Sequence, residues 1–238
     1  MKSILSFFTV GPAAQFFAMG AKGGLALAAA AAAGAALYAL YRKRRAAQEA
    51  ERLRYNFAPA SALDAAAFGS LRPGLQSNTG EAAGCVSDAE VAAWVAFVRG
   101  RGITRVLSFL GDDEAAWYAS DVDGAMASAF GAGNYLRQSV HADGAYAAAK
   151  AFVDAAAADP DAKILFHCSG GVNRTSMGMA MWLAAKHGLS PSAAEDAIKA
   201  AAAAHGTTRK PSAAKLETFM TAGKLPLKTK KPRDVANH

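Results

Sequence analysis

Cysteine is scarce in this chain of 238 residues, which contains only Cys85 and Cys168. Two cysteines are too few for the disulfide framework of a small secreted domain, so a reducing compartment is favoured. The chain also lacks histidine and cysteine at metal-site spacing, and it has no glycine pattern typical of a nucleotide-binding loop. We therefore expect neither a metal nor an organic cofactor.

Charged residues are also few, at 19% of the chain against 53% hydrophobic residues. This balance and the length predict one folded domain with a sizeable core plus an appendage. Much of the formal net charge of +7 comes from two clusters, residues 42–45 and 224–233, outside the part predicted to fold. A duplex needs basic residues on a folded face, so nucleic acid is not an expected partner.

Charge is absent from residues 23–41, GGLALAAAAAAGAALYALY, which RKRR follows at once. A helix of this length nearly spans a bilayer core of about 30 Å, and Tyr38 and Tyr41 suit an interface. The sequence predicts a single-pass membrane anchor after an N-terminal segment (residues 1–22) and before a basic stalk and linker (residues 42–67). The positive-inside rule places the rest in the cytoplasm or an equivalent reducing compartment. A cleaved targeting segment and an Ala-rich soluble helix are the alternatives.

Residues 68–222 alternate between helix-like stretches and short apolar runs, which predicts an α/β domain. The predicted strands are TRVLSFL, YLRQSV and KILFHC. The predicted helices begin SDAEVAAW, GAYAAAKA, RTSMGMAM, SPSAAEDA and SAAKLETF. Met177, Met179, Met181 and Trp182 are interpreted as core packing. Residues 223–238 are predicted to be a basic disordered tail.

Cys168 and Arg174 lie six positions apart in ILFHCSGGVNRTSMG, between the last predicted strand and a predicted helix. A tight loop there turns its backbone N–H groups inward, because Gly170 and Gly171 allow unusual dihedrals. The helix N-terminus adds positive potential, and Arg174 is placed to bind two oxygens of an anion. The predicted phosphate-binding residues are Ser169, Gly170, Gly171, Val172, Asn173 and Arg174.

A thiol at the centre of such a field loses its proton easily and becomes a good nucleophile. A nucleophile inside an oxyanion cradle indicates phosphoryl transfer through a covalent phosphocysteine. A merely structural role for Cys168 is disfavoured because strand, loop, arginine and helix all agree. Cys85, which has no basic or glycine-rich neighbours, is interpreted as a small hydrophobic residue.

The segment HCSGGVNRT resembles the signature of the cysteine-dependent protein tyrosine phosphatases, and its size is most similar to their compact dual-specificity branch. The resemblance implies a central sheet flanked by helices and no cofactor. It implies that Cys168 is the nucleophile, that Arg174 binds phosphate and that the Thr175 hydroxyl helps the thiolate leave. His167 would help set the reactivity of the thiol and the geometry of the loop.

The same resemblance extends more weakly over residues 68–220 and implies a general acid on an upstream loop. LRQSVHADG places Asp143 in that position. The prolines that commonly follow this aspartate are absent here, and the interval to Cys168 is short. The acidic stretch before it, otherwise a solvated face or a selector of basic substrates, supplies the rival acids Asp112, Asp113, Asp121 and Asp123.

Three other functions remain open. Rhodanese-type sulfurtransferases resemble this strand–loop–helix arrangement, but their loop commonly has one residue fewer between Cys and Arg. A phospho-binding module without a working acid would keep the same cradle. A phosphoinositide phosphatase suits a membrane anchor, whereas the absence of Lys and Arg from SGGVN favours a phosphorylated protein as substrate.

Overall fold

The structure is a computed structural model that describes residues 34–45, 54–74 and 82–227. The chain divides into two compact units, Met1–Glu51 and Arg52–His238. In the first unit, residues 34–45 are helical and exposed. Within the described ranges, no helix is long and apolar enough to cross a membrane. Residues 1–33, which include most of the predicted anchor, and 228–238 of the predicted tail lie outside the described residues.

The second unit is built on a mixed sheet whose central strand ends at Cys168. Its strands are β1 (Ala58–Pro59), β2 (Ala67–Leu71), β3 (Arg105–Ser108), β4 (Tyr135–Arg137) and β5 (Ile164–Cys168). The spatial order is β1-β2-β5-β3-β4. Only β1 runs antiparallel to its neighbour, while the β2, β3, β4 and β5 strands are parallel.

Helices cover both faces of this sheet, which confirms the predicted α/β class with a central sheet flanked by helices. They are α1 (Asp88–Arg99), α2 (Asp112–Ala115), α3 (Val122–Phe130), α4 (Ala145–Ala158), α5 (Asn173–His187), α6 (Pro191–His205) and α7 (Ala213–Ala222). Short 3₁₀ turns lie at Arg54–Asn56 and Ala132–Asn134. The α1 helix begins as its sequence predicts, since Ser87 and Glu90 form a reciprocal capping box.

Strand β5 is buried along its whole length, as its continuous apolar run predicts. Successive side chains point to opposite faces of a strand. Ile164, Phe166 and Cys168 join one core with α4, α5, α6 and α7, and this core also buries Met177, Met179, Met181 and Trp182. Leu165 joins a second core with α1 and α3. Both cores therefore hold β5 rigidly at the centre of the unit.

The folded unit starts earlier than the sequence predicts. Residues 54–67, assigned above to the linker, include strand β1 and the buried Tyr55 and Phe57. The Asp64 carboxylate accepts hydrogen bonds from Trp182 Nε1 at 3.0 Å and His187 Nε2 at 2.5 Å, which tie this segment to α5. The predicted tail also starts too early, because Leu225 packs against the first core.

Helix α5 lies close to the sheet because residue 178 has no side chain. A Cβ atom on Gly178 would lie 2.4 Å from Phe166 Cδ1 and 2.6 Å from Phe109 Cε2. Both partners are rings in the core, with 0% exposure. The approach of α5 to β5 therefore depends on glycine at this position.

We expect Gly178→Ala to destabilise the protein. Alanine gains about 1 kcal/mol of helix propensity over glycine, but overpacking a core typically costs about 1–3 kcal/mol. The net loss in the free energy of unfolding should be up to about 2 kcal/mol in urea denaturation. Gly133→Ala is the control, because its Cβ would have no atom within 4 Å. A Gly178→Ala midpoint at or above that of the wild type would contradict the expectation.

Candidate active site

The candidate site lies at one edge of the sheet, where the parallel strands end. Cys168 at the end of β5 is in register with Leu71 of β2, and His167 is in register with Ser108 of β3. Loops that follow the carboxyl ends of parallel strands lie together, and ligands commonly bind there. The edge therefore gathers the Cys168 loop (residues 168–174) and the loops after β3 and β4.

Cys168 is buried at the base of its loop, with 3% exposure. The hydroxyl of Thr175, which is fully buried, lies 3.2 Å from Cys168 Sγ, within hydrogen-bond distance for sulfur. The structure thus brings together the predicted nucleophile and the hydroxyl predicted to assist its departure.

The Cys168 loop turns through a left-handed residue, Gly171, whose φ is 61°. A Cβ there would lie 2.6 Å from Ser70 O and 2.8 Å from Leu71 N, so the loop packs directly on the β2 backbone. We expected unusual dihedrals at both glycines, but the φ of Gly170 is not positive and a Cβ there would have no atom within 4 Å. Only one of the two glycines is required by backbone geometry.

The back of the loop is held by buried polar groups on distant segments. The Gly171 carbonyl accepts from Arg209 Nη1 at 2.9 Å and from Asn56 Nδ2 at 3.3 Å. In a trans peptide the next N–H points the opposite way. The amide of Val172 is therefore turned away from Arg209 and Asn56, as an inward-facing anion cradle requires.

Arg209 also supplies positive charge beneath the loop. Nη1 also donates to Thr208 O at 2.9 Å, and Nη2 donates to Asn56 O at 2.6 Å and to Gly69 O at 2.8 Å. Burial lowers the pKa of Arg209 to about 10, whereas charge on Cys168 raises it. The side chain therefore stays protonated at neutral pH and adds to the field at the thiol.

Arg174 is held in a fixed orientation by a bidentate ion pair with Glu114. Nη1 and Nη2 each lie 2.5 Å from a carboxylate oxygen of Glu114. Nη1 also donates to Phe109 O at 2.5 Å, and Nη2 donates to Ser169 Oγ at 2.7 Å. The planar fork suits this geometry, and the two contacts remove the rotational freedom of the guanidinium.

Glu114, like Arg209 and Asn56, is a site residue that the sequence analysis missed. Burial would raise the pKa of Glu114, but the hydrogen bond and charge of Arg174 outweigh burial and keep the carboxyl ionised. Its position shortly after β3 could have identified it, because β3 and β5 are parallel neighbours whose carboxyl ends lie at the same edge of the sheet. The acidic stretch is thus more than a solvated face.

The short helix α2 that carries Glu114 is itself anchored. Asp112 accepts from Arg137 Nη1 at 2.7 Å, and Arg137 Nε also lies 2.9 Å from both carboxylate oxygens of Asp123. Tyr135 donates to Asp123 at 2.8 Å. These contacts connect the strand β4 to the support of Arg174.

His167 is 1% exposed and packs edge-on against Trp94, with ring centroids 5.2 Å apart. Burial lowers the pKa of His167 to about 3, so the ring is neutral at physiological pH. Its influence on the loop is therefore through packing and dipole, not through a full positive charge.

Asp143 follows β4 on residues 138–144, here named the acid loop after the role predicted for Asp143, and this loop leaves the same sheet edge as the Cys168 loop. Its side chain is 92% exposed, and Oδ1 accepts from Lys224 Nζ at 2.5 Å. Within the described residues, Asp143 makes no hydrogen bond to the Cys168 loop. Of the rival acids, Asp112 and Asp123 are paired with Arg137. Asp121 is exposed, and Asp113 lies close enough to Arg174 to help raise the pKa of that guanidinium.

The described ranges contain no group of His, Cys, Asp and Glu that could hold a metal.

No family model and no curated protein matches the chain. Among solved structures, it is similar to the PTP-2 phosphatase of Cydia pomonella, with 18% identity and a TM-score of 0.43 over 66% of this chain and 84% of that chain. It is similar to PTPMT1, with 17% identity and a TM-score of 0.43 over 67% and 90% of the two chains. It is similar to TpbA of P. aeruginosa, with 21% identity and a TM-score of 0.35 over 70% and 91%. These neighbours are protein tyrosine phosphatase-type enzymes, the family whose motif residues 167–175 resemble.

Proposed function

We propose that this chain hydrolyses phosphate monoesters through a phosphocysteine on Cys168. The observation that carries the proposal is the Thr175 hydroxyl, 3.2 Å from a buried Sγ, at the base of a loop that ends in Arg174. A buried structural thiol needs neither the hydroxyl, the cradle nor the guanidinium. Together they suit a nucleophile, its leaving-group support and a phosphoryl clamp.

In the first step, Cys168 Sγ attacks phosphorus and the bond from phosphorus to the ester oxygen breaks. Backbone N–H groups of the Cys168 loop and the N-terminus of α5 stabilise the equatorial oxygens. A phosphoryl oxygen takes the place of Ser169 Oγ at Arg174 Nη2, while Glu114 keeps the guanidinium in plane. Asp143 gives its proton to the departing oxygen.

In the second step, water attacks the phosphorus of the phosphocysteine, its proton passes to the Asp143 carboxylate left by the first step, and the bond between sulfur and phosphorus breaks. The thiolate leaves with the hydrogen bond from Thr175, and phosphate is released. Arg209 stabilises the thiolate at longer range and holds the Gly171 carbonyl throughout, so the cradle does not reorganise between the steps.

The substrate proposed is a phosphorylated protein of the tyrosine or dual-specificity class. Residues 169–173 carry no lysine or arginine for additional phosphates, and the exposed Asp112 and Asp113 directly precede Glu114. This acidic rim favours basic peptides over polyanionic head groups. A phosphoinositide is the second candidate, favoured by the uncharged run before RKRR.

Cys168→Ser is expected to abolish turnover, by on the order of 10³-fold or more, and to retain phosphate binding. The reason is that a serine hydroxyl stays protonated at neutral pH. Arg174→Lys should lower both binding and rate, because lysine cannot form the bidentate fork. The full chain is assayed with phosphotyrosine peptide, phosphothreonine peptide and inositol lipid, where the peptides should react faster, and vanadate should inhibit.

Cys85→Ser is the matched control for the cysteine change, and it should keep its turnover. Substantial phosphatase activity in Cys168→Ser would contradict the covalent mechanism. If the wild type transfers sulfur from thiosulfate and ignores phosphate esters, it is a sulfurtransferase.

Asp143→Asn is expected to slow phenyl phosphate far more than 2,4-dinitrophenyl phosphate, by about 10²-fold or more. A poor leaving group needs the proton, whereas an activated one departs without it. The hydrogen bond and charge of Lys224 hold the pKa of Asp143 below its usual value, so the wild-type rate should fall as pH rises through the acidic range. This fall in rate, the basic limb of the pH profile, should flatten in Asp143→Asn.

A selective loss in Asp121→Asn or Asp123→Asn instead would reassign the acid. No selective loss in any of these variants would favour a phospho-binding module.

The proposed location is a membrane, with residues 23–41 as the single-pass anchor and the catalytic unit on the side of RKRR. The expected result is that the protein stays in the membrane pellet after extraction with alkaline carbonate, since a spanning helix is held by its apolar surface. Release into the supernatant would show that the segment is not an integral anchor.

A further inference from the structure

The acid loop (residues 138–144) is fastened to the segment that leaves α7. Residues 223–225, here named the strap, make backbone contacts on both sides of Asp143. Leu225 N donates to Val140 O at 2.8 Å, and Tyr146 N donates to Gly223 O at 2.9 Å. The Nδ1–H of His141 donates to Leu225 O at 3.0 Å.

The strap is well seated at both of its ends. Gly223 has a φ of 73°, which ends α7 in a left-handed cap and turns the chain towards the acid loop. Leu225 packs against the first core, and Val140 is 1% exposed. Lys224 lies between these anchors, so its position relative to Asp143 is determined by backbone contacts and not by its own side chain.

Lys224 makes the one side-chain contact of the strap to the proposed acid. Its Nζ lies 2.5 Å from Asp143 Oδ1, and the two side chains are 48% and 92% exposed. A general acid must carry a proton and reach the leaving oxygen. An ammonium partner stabilises the deprotonated carboxylate, and the hydrogen bond directs the carboxylate to the strap. Lys224 therefore opposes both requirements.

We infer that Lys224 is a positioning residue that latches Asp143 in an idle, ionised state and so slows protonation of the leaving group. The inference rests on the proposed function, in which Asp143 is the acid. Within the described ranges, Lys224 on the strap is the charged group that contacts Asp143, and the ring of His141, two positions before Asp143, is bound to Leu225 O. Loss of the Lys224 charge frees the carboxylate, while the backbone contacts keep the acid loop in place.

The test is the full chain with Lys224→Gln, compared with the wild type on two substrates. An exposed ion pair is weak, so kcat/KM for phenyl phosphate should rise by about two- to five-fold. Turnover of 2,4-dinitrophenyl phosphate should not change, because this leaving group needs no proton. The basic limb of the pH profile for phenyl phosphate should move to higher pH, since the pKa of Asp143 is no longer held down by Lys224. A structural effect on the loop would not move that limb selectively.

Two further variants complete the design. Lys224→Arg should restore the wild-type profile, because it restores the ion pair. Lys215→Gln removes an equal positive charge from α7, outside the site. It should change neither the turnover of either substrate nor the basic limb of the pH profile. The double variant Lys224→Gln with Asp143→Asn should show no gain over Asp143→Asn alone.

Unchanged or lower phenyl phosphate turnover in Lys224→Gln, or a gain that persists in the double variant, overturns the latch. These outcomes leave the acid assignment intact if Asp143→Asn still shows its selective loss. Absence of that selective loss overturns the acid assignment and the latch together. A Cys168→Ser variant that remains active overturns the proposed mechanism independently of either result.

Discussion

The active-site arrangement depends on a turn of the backbone directly against strand β2. Between Cys168 and the start of α5 the chain must reverse while its loop packs against the backbone of Ser70 and Leu71. A Cβ atom on Gly171 would lie only 2.6 Å from Ser70 O and 2.8 Å from Leu71 N. No other residue type fits this position without displacing β2. The turn places the Cys168 thiol beneath the loop and directs the Val172 amide away from Arg209 and Asn56. It also starts α5 at the predicted phosphate-binding loop.

Buried charge around this turn is either paired with an opposite charge or hydrogen-bonded to backbone carbonyls. Arg174 forms a bidentate ion pair with Glu114, so its guanidinium loses rotational freedom and is held in a fixed orientation. Within the described ranges Arg209 has no carboxylate partner, and its two Nη atoms instead donate to four backbone carbonyls. A guanidinium satisfied by neutral carbonyls keeps its positive field, which suits a thiolate or a phosphate as the compensating charge.

The side of the site that carries the proposed acid is built differently from the side that carries the proposed nucleophile. The Cys168 loop is held by buried contacts from β2, α5 and Arg209, whereas the acid loop is held by backbone hydrogen bonds to the strap, whose Leu225 packs on the first core. The side-chain contact between Lys224 and Asp143 is exposed, and exposed ion pairs are weak. The structure thus combines a loop held by buried contacts with an Asp143 carboxylate whose ion pair is easily exchanged, which suits the proposed role of a group that approaches the substrate after it binds.

Much of this could be predicted from local sequence. The capping box of α1, the apolar run of β5 and the loop from Cys168 to Thr175 are signals within a few residues, because capping, burial and anion binding at a helix start are local physics. The two-residue strand β1 and strand β2 escaped prediction, since strands this short depend on their partners for stability. Glu114, Arg209 and Asn56 contact residues 168–174 from far along the chain, and Lys224 reaches Asp143 across 81 positions. Sequence alone determined which chemical groups were present at the Cys168 loop. Only the tertiary structure decided which distant charges face them, because a contact between remote segments depends on how the parallel strands bring their ends to one edge.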